Sequence, residues 1–220
     1  MNDLELKSLW AAYDQKLEQS LALNRALLSD VKKMKAASVV ASLKPLKHFA
    51  ILVGIPWVLF LNVLLVTFFS VGSPMFLISV GLVSLLTTLA IGFYIYDLVL
   101  IYQIDTSESV LDVQEKLAKL QTATLWSGRL MWVQMPLYST FYLTQGMVAH
   151  AGTWFWVVQL GITSLLAVVG LWLFFNLKPE NQSKRWFRLL MQGREWDAVR
   201  QAQDLLKQVQ AYKASETTVA

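Results

Sequence analysis

The fold is decided by FAILVGIPWVLFLNVLLVTFF, residues 49–69, and MFLISVGLVSLLTTLAIGFYIY, residues 75–96. Neither run contains a charged residue, and each provides the roughly 20 apolar residues that a helix needs to cross a hydrocarbon core about 30 Å thick. Val71-Gly72-Ser73-Pro74 lies between them and supplies turn residues. The sequence therefore predicts a transmembrane hairpin over residues 48–104.

A second uncharged region extends from Leu130 to Leu177, and the turn expected near residues 148–153 again contains glycine. This region predicts a second hairpin over residues 125–177. The composition agrees, because 55% hydrophobic residues, 15% charged residues and a mean hydropathy of +0.46 are typical of membrane proteins. The predicted fold class is an all-α polytopic membrane protein, with four transmembrane helices in two hairpins and amphipathic cytoplasmic helices.

The charges predict how this protein is oriented. All 19 Lys and Arg residues lie before residue 48, within residues 105–129, or after residue 177. Cytoplasmic loops carry an excess of Lys and Arg, so both termini and the central segment are expected in the cytoplasm, with the chain in the bacterial inner (cytoplasmic) membrane. No cleavable signal peptide is expected. The net charge of +4 suits a surface beside anionic lipid, so the lipid bilayer is a predicted partner and nucleic acid is not.

The amino-terminal segment, residues 1–47, shows a heptad pattern. Its apolar positions recur alternately three and four residues apart and predict a helix-pairing seam formed by Trp10, Tyr13, Leu17, Asn24, Leu27 and Val31. A polar residue in such a seam, here Asn24, fixes the register of pairing at some cost in stability. Two interpretations stand: the helix docks a cytoplasmic protein partner or a second copy, or it packs on the protein's own cytoplasmic segments. Lys44-Pro45 is expected to end this helix before the membrane.

Two further cytoplasmic segments have helical patterns. Residues 105–124 begin with a capping-box spacing at Asp105-Thr106-Ser107-Glu108 and continue with an apolar seam that matches the amino-terminal one, which favours pairing of the two helices. Residues 178–220 predict a short interfacial helix near residues 185–191, an amphipathic helix from Glu195 onward, and a frayed tail from Ser215.

The third predicted span is the most polar. On a continuous helix, Gln134, Tyr138, Tyr142 and Gln145 would share one face inside the membrane. Polar groups at that depth need partners, which Gln159, Thr163 and Ser164 of the fourth span could supply. The face is interpreted either as a connection between helices or as a substrate or ion path.

The second predicted span carries small residues on one face. Gly81, Ser84, Thr88 and Gly92 have the spacing that lets membrane helices approach closely, which predicts a helix-packing face. Asp97, near the cytoplasmic end of this span, is expected to cap a helix or pair with Arg129 rather than to carry protons.

The two hairpins also resemble each other. A shift of 80 residues aligns Pro56 with Pro136, Gly72 with Gly152, and residues 81–86 with residues 161–166. Two interpretations stand: the identities arise by chance among similar apolar segments, or they reflect an internal duplication. A duplication of this kind has parallel repeats, unlike the inverted repeats of many transporters.

Motifs for catalysis are missing from the sequence. It contains two histidines and no cysteine, and it lacks phosphate-binding, nucleophile-elbow and dinucleotide-binding patterns. We therefore expect neither an enzyme nor a cofactor or metal site.

Five short motifs at the amino terminus form a distinctive series: Leu6-Lys7-Ser8-Leu9-Trp10, Tyr13-Asp14, Lys16-Leu17-Glu18, Leu23-Asn24 and Leu27-Leu28. Together with the span arrangement, this series resembles uncharacterised four-span inner-membrane proteins of Bacteroidota. The resemblance covers the first 35 residues and implies a regulatory role, because the genes of those proteins often neighbour sigma-factor genes. Two functions follow as hypotheses: a membrane scaffold or regulatory adaptor, or a small transporter or channel that uses the polar face of the third span.

Overall fold

The computed structural model of the chain describes residues 3–105, 108–191 and 193–219, and it describes side chains for residues 7, 9–105, 108–191 and 193–211. These ranges are helical and contain no strand. The α-helices are α1 (Asp3–Ala41), α2 (Lys44–Thr67), α3 (Pro74–Gln103), α4 (Val110–Val133), α5 (Gln145–His150), α6 (Thr153–Asn176), α7 (Arg185–Leu190) and α8 (Arg194–Val219). Two 3-10 helices, Met135–Ser139 and Pro179–Asn181, follow α4 and α6.

Three of the described helical stretches are long and apolar enough to cross a membrane. They are the stretch Leu9–Thr67, which contains α2, and the helices Pro74–Gln103 and Thr153–Asn176. The all-helical class and three apolar helices of spanning length therefore agree with the sequence.

The third apolar region differs from the predicted single helix. Helix α4 begins at Val110 and continues through the boundary predicted at residue 124, but it ends at Val133. Pro136 lies in the 3-10 helix that follows. Proline has no amide hydrogen and its ring crowds the preceding turn, so an α-helix that reaches Pro136 loses its regular bonding there.

Local residues explain where the helices begin. The break predicted at Lys44-Pro45 is present, although only two residues separate α1 from α2. Helix α3 is capped by Ser73, whose hydroxyl accepts a hydrogen bond from the amide of Phe76 at 3.2 Å. Helix α4 is capped by Ser109 rather than by the predicted Asp105 motif, parts of which lie outside the described residues.

Helices α1, α4 and α8 form a bundle beside the end of α3. Helix α8 packs against both α1 and α4, and side chains of all three helices share one core. The two helices that the sequence placed together thus lie in one bundle, with α8 as a third member. The apolar face predicted for α8 is buried in this core, and the helical backbone continues through Val219, past the start of the predicted frayed tail. The core consists of Ala36, Val40, Leu43, Leu100, Ile101, Val110, Val113, Leu117, Leu120, Ala198, Val199, Ala202, Leu206 and Val209.

Helix α7 turns an aromatic side chain inward. Phe187 is fully buried and packs against Trp196 of α8, with 5.2 Å between the ring centroids. Leu173 and Leu177, at the end of α6, belong to the same cluster. A helix is thus present near residues 185–191, as predicted, and its phenylalanine belongs to the protein core.

Candidate functional site

A buried ion cluster joins the bundle to the apolar helices. The Lys47 ammonium, in the first turns of α2, lies 2.7 Å from Asp97 Oδ2 of α3 and 2.8 Å from Glu195 Oε2 of α8. The Lys47 and Asp97 side chains are 0% exposed, whereas Glu195 is 21% exposed. One cation therefore connects three helices, and one of its two anionic partners still reaches solvent.

Neighbouring side chains satisfy most of the hydrogen-bond donors of the Lys47 ammonium. An ammonium has three hydrogens, and two point to the carboxylates. The Tyr94 ring lies 4.3 Å from the ammonium, within cation–π distance. Asp97 Oδ2 also accepts a longer bond from the Thr124 hydroxyl at 3.4 Å, while Asp97 Oδ1 has no partner among the described residues. Burying charge is costly unless it is paired, so this cluster holds only if its three helices stay together.

The pairing predicted between Asp97 and Arg129 is wrong. Arg129 instead donates from Nε to the Leu177 carbonyl at 2.8 Å and from Nη2 to the same oxygen. That carbonyl lies at the carboxyl end of α6, where unsatisfied carbonyl groups favour a cation. Lys47 replaces Arg129 as the partner of Asp97.

The third apolar region runs beside α3 along its full apolar length. We call residues 124–143 the third segment. Its polar and aromatic contacts with α3 follow one antiparallel register from the ion cluster to the α2–α3 turn. In order, these contacts are Asp97–Thr124, Phe93–Trp126, Thr87–Gln134, Ser79–Thr140 and Ser73–Leu143.

The other side of the third segment packs against α6. The ideal Cβ position at Gly170 would lie 2.7 Å from the Trp132 carbonyl oxygen, so the backbones approach closely there. Only glycine allows this approach without displacing the backbone. Three further contacts follow an antiparallel order: Tyr142–Gln159, Ser139–Thr163 and Trp126–Phe174. The long Arg129 side chain reaches past this register to the Leu177 carbonyl.

The four predicted polar-face residues are only partly brought together. Gln134 is 1% exposed and accepts at Oε1 from Tyr138 at 3.2 Å and from Thr87 at 3.4 Å. Tyr142 donates to Gln159 of α6 instead of facing Gln134. Gln145 is exposed in α5. The helix break separates these residues, which a continuous helix would have placed on one face.

Gln159 of α6 forms hydrogen bonds with the irregular segment that follows the end of α4. Its Oε1 accepts from Tyr142, and its Nε2 donates to the Ser139 carbonyl and to Thr163 Oγ1. Irregular backbone at membrane depth is tolerated only where protein groups or water satisfy it. Two of the predicted partners, Gln159 and Thr163, therefore supply bonds of this kind. Gln134 Nε2 remains without a partner in the described part of the chain.

The predicted helix-packing face contributes mainly through Ser84. Its hydroxyl accepts a bond from Asn62 Nδ2 of α2 at 3.0 Å, and Ser84 is buried. Thr88 is exposed and bonds to the Ser84 carbonyl. A Cβ at Gly81 or Gly92 would meet no atom within 4 Å. Close backbone packing occurs instead at Gly170, which the sequence analysis did not identify.

The predicted α1 seam is exposed. Trp10 is 65% exposed, Tyr13 72%, Leu17 58%, Leu27 54% and Val31 61%, and Asn24 is also exposed. The pairing of this seam with the protein's own helices is therefore not formed among the described residues.

A second seam on α1 makes the contacts with the bundle. Ala36 and Val40 are each 1% exposed. They follow Val31 by five and nine residues, which places them about 140° and 180° around the helix from that residue of the predicted seam. Small residues bring α8 close on this side. The large apolar residues of α1 remain on the opposite side.

The chain matches no protein-family profile, no curated protein and no solved structure. Within the described ranges, no group of three or more His, Cys, Asp or Glu side chains could hold a metal ion.

Proposed function

We propose that the protein is a non-enzymatic membrane scaffold or regulatory adaptor that presents the exposed apolar seam of α1 to a protein partner. The observation that carries this proposal is the contrast between the two sides of α1. One side is fixed in a bundle through Ala36 and Val40, and the other leaves Trp10, Leu17 and Val31 exposed. Contiguous apolar surface on a polar bundle is typical of an interaction site.

The ion cluster supports this function because it fixes the bundle to the membrane part. Glu195 is the second residue of α8, so its bond to Lys47 holds the base of that helix. Helix α4 supports the same connection, since its first half lies in the bundle core and its second half packs on α3 and α6. A partner bound to α1 would thus be held at a defined position relative to the membrane.

Four membrane crossings are part of the proposal. The third segment follows α3 from Asp97 to Ser73, and its irregular backbone is bonded to α3 and α6, which is what a non-helical crossing requires. With four crossings, all Lys and Arg residues fall on one side. The proposed location is the bacterial inner membrane with both termini in the cytoplasm.

The resemblance to four-span inner-membrane proteins of Bacteroidota adds a regulatory interpretation. In this proposal the partner of α1 is a cytoplasmic protein or a second copy of the chain.

Transport receives less support. The polar groups of the third segment bond largely to protein groups of α3 and α6, which favours a connection between helices over a path. At the cytoplasmic end, Lys47 occupies the space between Asp97 and Glu195.

Co-purification from native membranes tests the scaffold proposal. Leu17→Asp places a charge on the exposed seam, and Gln15→Asp places the same charge on another exposed face of α1. We expect the wild type and Gln15→Asp to retain a bound protein that Leu17→Asp loses, with equal elution of all three in size-exclusion chromatography after detergent stripping. Identical sets of bound proteins together with an identical oligomeric state of all three samples before stripping would contradict the proposal.

A further inference from the structure

We infer that the occupant of the exposed α1 seam is a second copy of this chain, paired in parallel about an axis along the membrane normal. This inference rests on the proposed function and names its partner. The seam covers Trp10 to Met34, about three and a half heptads, which is near the length that a coiled coil needs.

The direction of α1 favours a parallel pair. Helix α8 runs antiparallel to α1, since Glu195 bonds to Lys47 while Val209 lies beside residues 21–33 of α1. Helix α4 continues from this bundle into the apolar helices without a break. The bundle therefore extends along the direction of the membrane helices, and two copies in one membrane have their α1 helices pointing the same way.

The seam residues match themselves in parallel register. Asn24 occupies an a position, where it meets Asn24 of the second copy, and paired asparagines at this position specify a parallel dimer with a fixed register. An antiparallel arrangement places a positions against d positions and separates these two amides.

The charges beside the seam agree with the same register. Asp30 lies at a g position, and Lys35 lies at the e position five residues later. In a parallel dimer these positions face each other across the interface, so each copy forms one Asp30–Lys35 pair with the other. Both residues are exposed in the single chain.

Pairing leaves the bundle intact. The contacts with α8 lie on the opposite side of α1, through Ala36 and Val40. Confinement to one membrane raises the effective concentration of α1 helices, which favours association through a seam that contains polar residues.

Single-cysteine crosslinking tests the inference, because the natural chain contains no cysteine. Ser20 lies three residues after Leu17 and four before Asn24, so it occupies a seam position. Ser20→Cys and Val31→Cys therefore place a thiol in the seam, and Glu18→Cys places one outside it as the control. In native membranes under mild oxidation, we expect both seam variants to form disulfide dimers at least ten-fold more than Glu18→Cys.

Other outcomes overturn the inference in distinguishable ways. Dimers from Ser20→Cys but not from Val31→Cys would indicate an antiparallel pair, since the Val31 positions would then lie far apart. A cysteine-to-amine crosslinker that joins Ser20→Cys to a different protein would refute self-pairing and leave the scaffold proposal standing. No seam-specific product with either reagent would refute both.

Discussion

Pro56 and Pro136 lie 80 residues apart, one in each apolar half of the chain, yet only Pro136 lies at a helix break. Helix α2 continues through Pro56 to Thr67, whereas α4 ends three residues before Pro136 and a 3-10 helix follows. The difference lies in the neighbouring side chains. Ser139 and Thr140 bond to the carbonyls of Pro136 and Leu137, and Gln159 bonds to the Ser139 carbonyl.

The region around Pro56 has fewer side-chain donors of this kind. Asn62 bonds to the Val58 carbonyl and to Ser84, and the remaining neighbours are largely apolar. A proline removes one hydrogen bond in either place, but an irregular backbone forms only where other donors satisfy the released carbonyls. The lesson is that side-chain donors, rather than the proline alone, decide whether a membrane helix breaks.

The two halves also differ at the ends that adjoin the helical bundle, which gives the largest expected effect. Lys47 of α2 forms an ion pair with the Asp97 carboxylate of α3, whereas Arg129 bonds to the backbone carbonyl at the end of α6. Lys47→Met leaves two carboxylates without their cation, and we expect a loss of about 3–5 kcal/mol in the free energy of unfolding. Thermal or denaturant unfolding in detergent measures it.

The control for Lys47 is Lys119→Met. Lys119 pairs with Glu115 on an exposed helix surface, where solvent screens the pair, so its loss is expected to leave the free energy of unfolding nearly unchanged. Adding Asp97→Asn to Lys47→Met is expected to recover part of the lost stability. Equal effects of Lys47→Met and Lys119→Met would show that the buried cluster does not hold the helices together.

Gln159→Leu gives the next largest effect, because it removes several bonds at the break. It eliminates the bonds to Tyr142, to the Ser139 carbonyl and to Thr163. Each such bond contributes about 0.6 kcal/mol on average in membrane proteins, so we expect a loss of about 1–2 kcal/mol. Unfolding in detergent measures the loss, and Leu160→Met on the exposed side of α6 is the control. A change no larger than that of the control would mean that other groups hold the break.

Gln134→Leu and Gln145→Leu separate the two parts of the predicted polar face. Gln134 is buried and bonded to Tyr138, whereas Gln145 is exposed. We expect a loss of about 0.5–1.5 kcal/mol for Gln134→Leu and less than about 0.5 kcal/mol for Gln145→Leu. Parallel flux assays in liposomes are expected to show no ion flux for the wild type or either variant, and robust wild-type flux would favour the transporter alternative.

Much of the α2–α3 arrangement could be predicted from the sequence. Lys47 and Asp97 each lie 25 residues from Gly72, so a hairpin folded at Gly72 places them at the same level. Nearness to the membrane alone favours Arg129 as the partner of Asp97, whereas the register of the hairpin selects Lys47. Glu195 could not be identified in this way, since its position depends on how α8 packs against α1.

The two seams of α1 show a second limit of sequence reasoning. The larger residues Trp10, Leu17 and Leu27 dominate any hydrophobicity pattern, but the contact with α8 uses Ala36 and Val40. Small side chains permit close helix packing, yet their pattern predicts a contact only once a neighbouring helix is known. The helix break at Val133 was missed for a similar reason, since Pro56 and Pro136 give the same local signal.

Replacing each proline gives the smallest expected effect and tests the comparison directly. Pro136→Ala restores an amide, but Ser139, Thr140 and Gln159 still satisfy the irregular backbone. We expect a change in stability below about 0.5 kcal/mol and unchanged hydrogen–deuterium exchange for residues 134–144.

Pro56→Ala, in contrast, is expected to slow exchange near residue 56, because its new amide can bond to the Leu52 carbonyl in a helix that is already continuous. In Gln159→Leu, exchange over residues 134–144 is expected to rise, since the bond that holds the Ser139 carbonyl is gone. The contrary result would be amides of residues 134–144 that exchange as slowly in Pro136→Ala as the amides of α6. It would mean that the proline, and not the surrounding donors, causes the break.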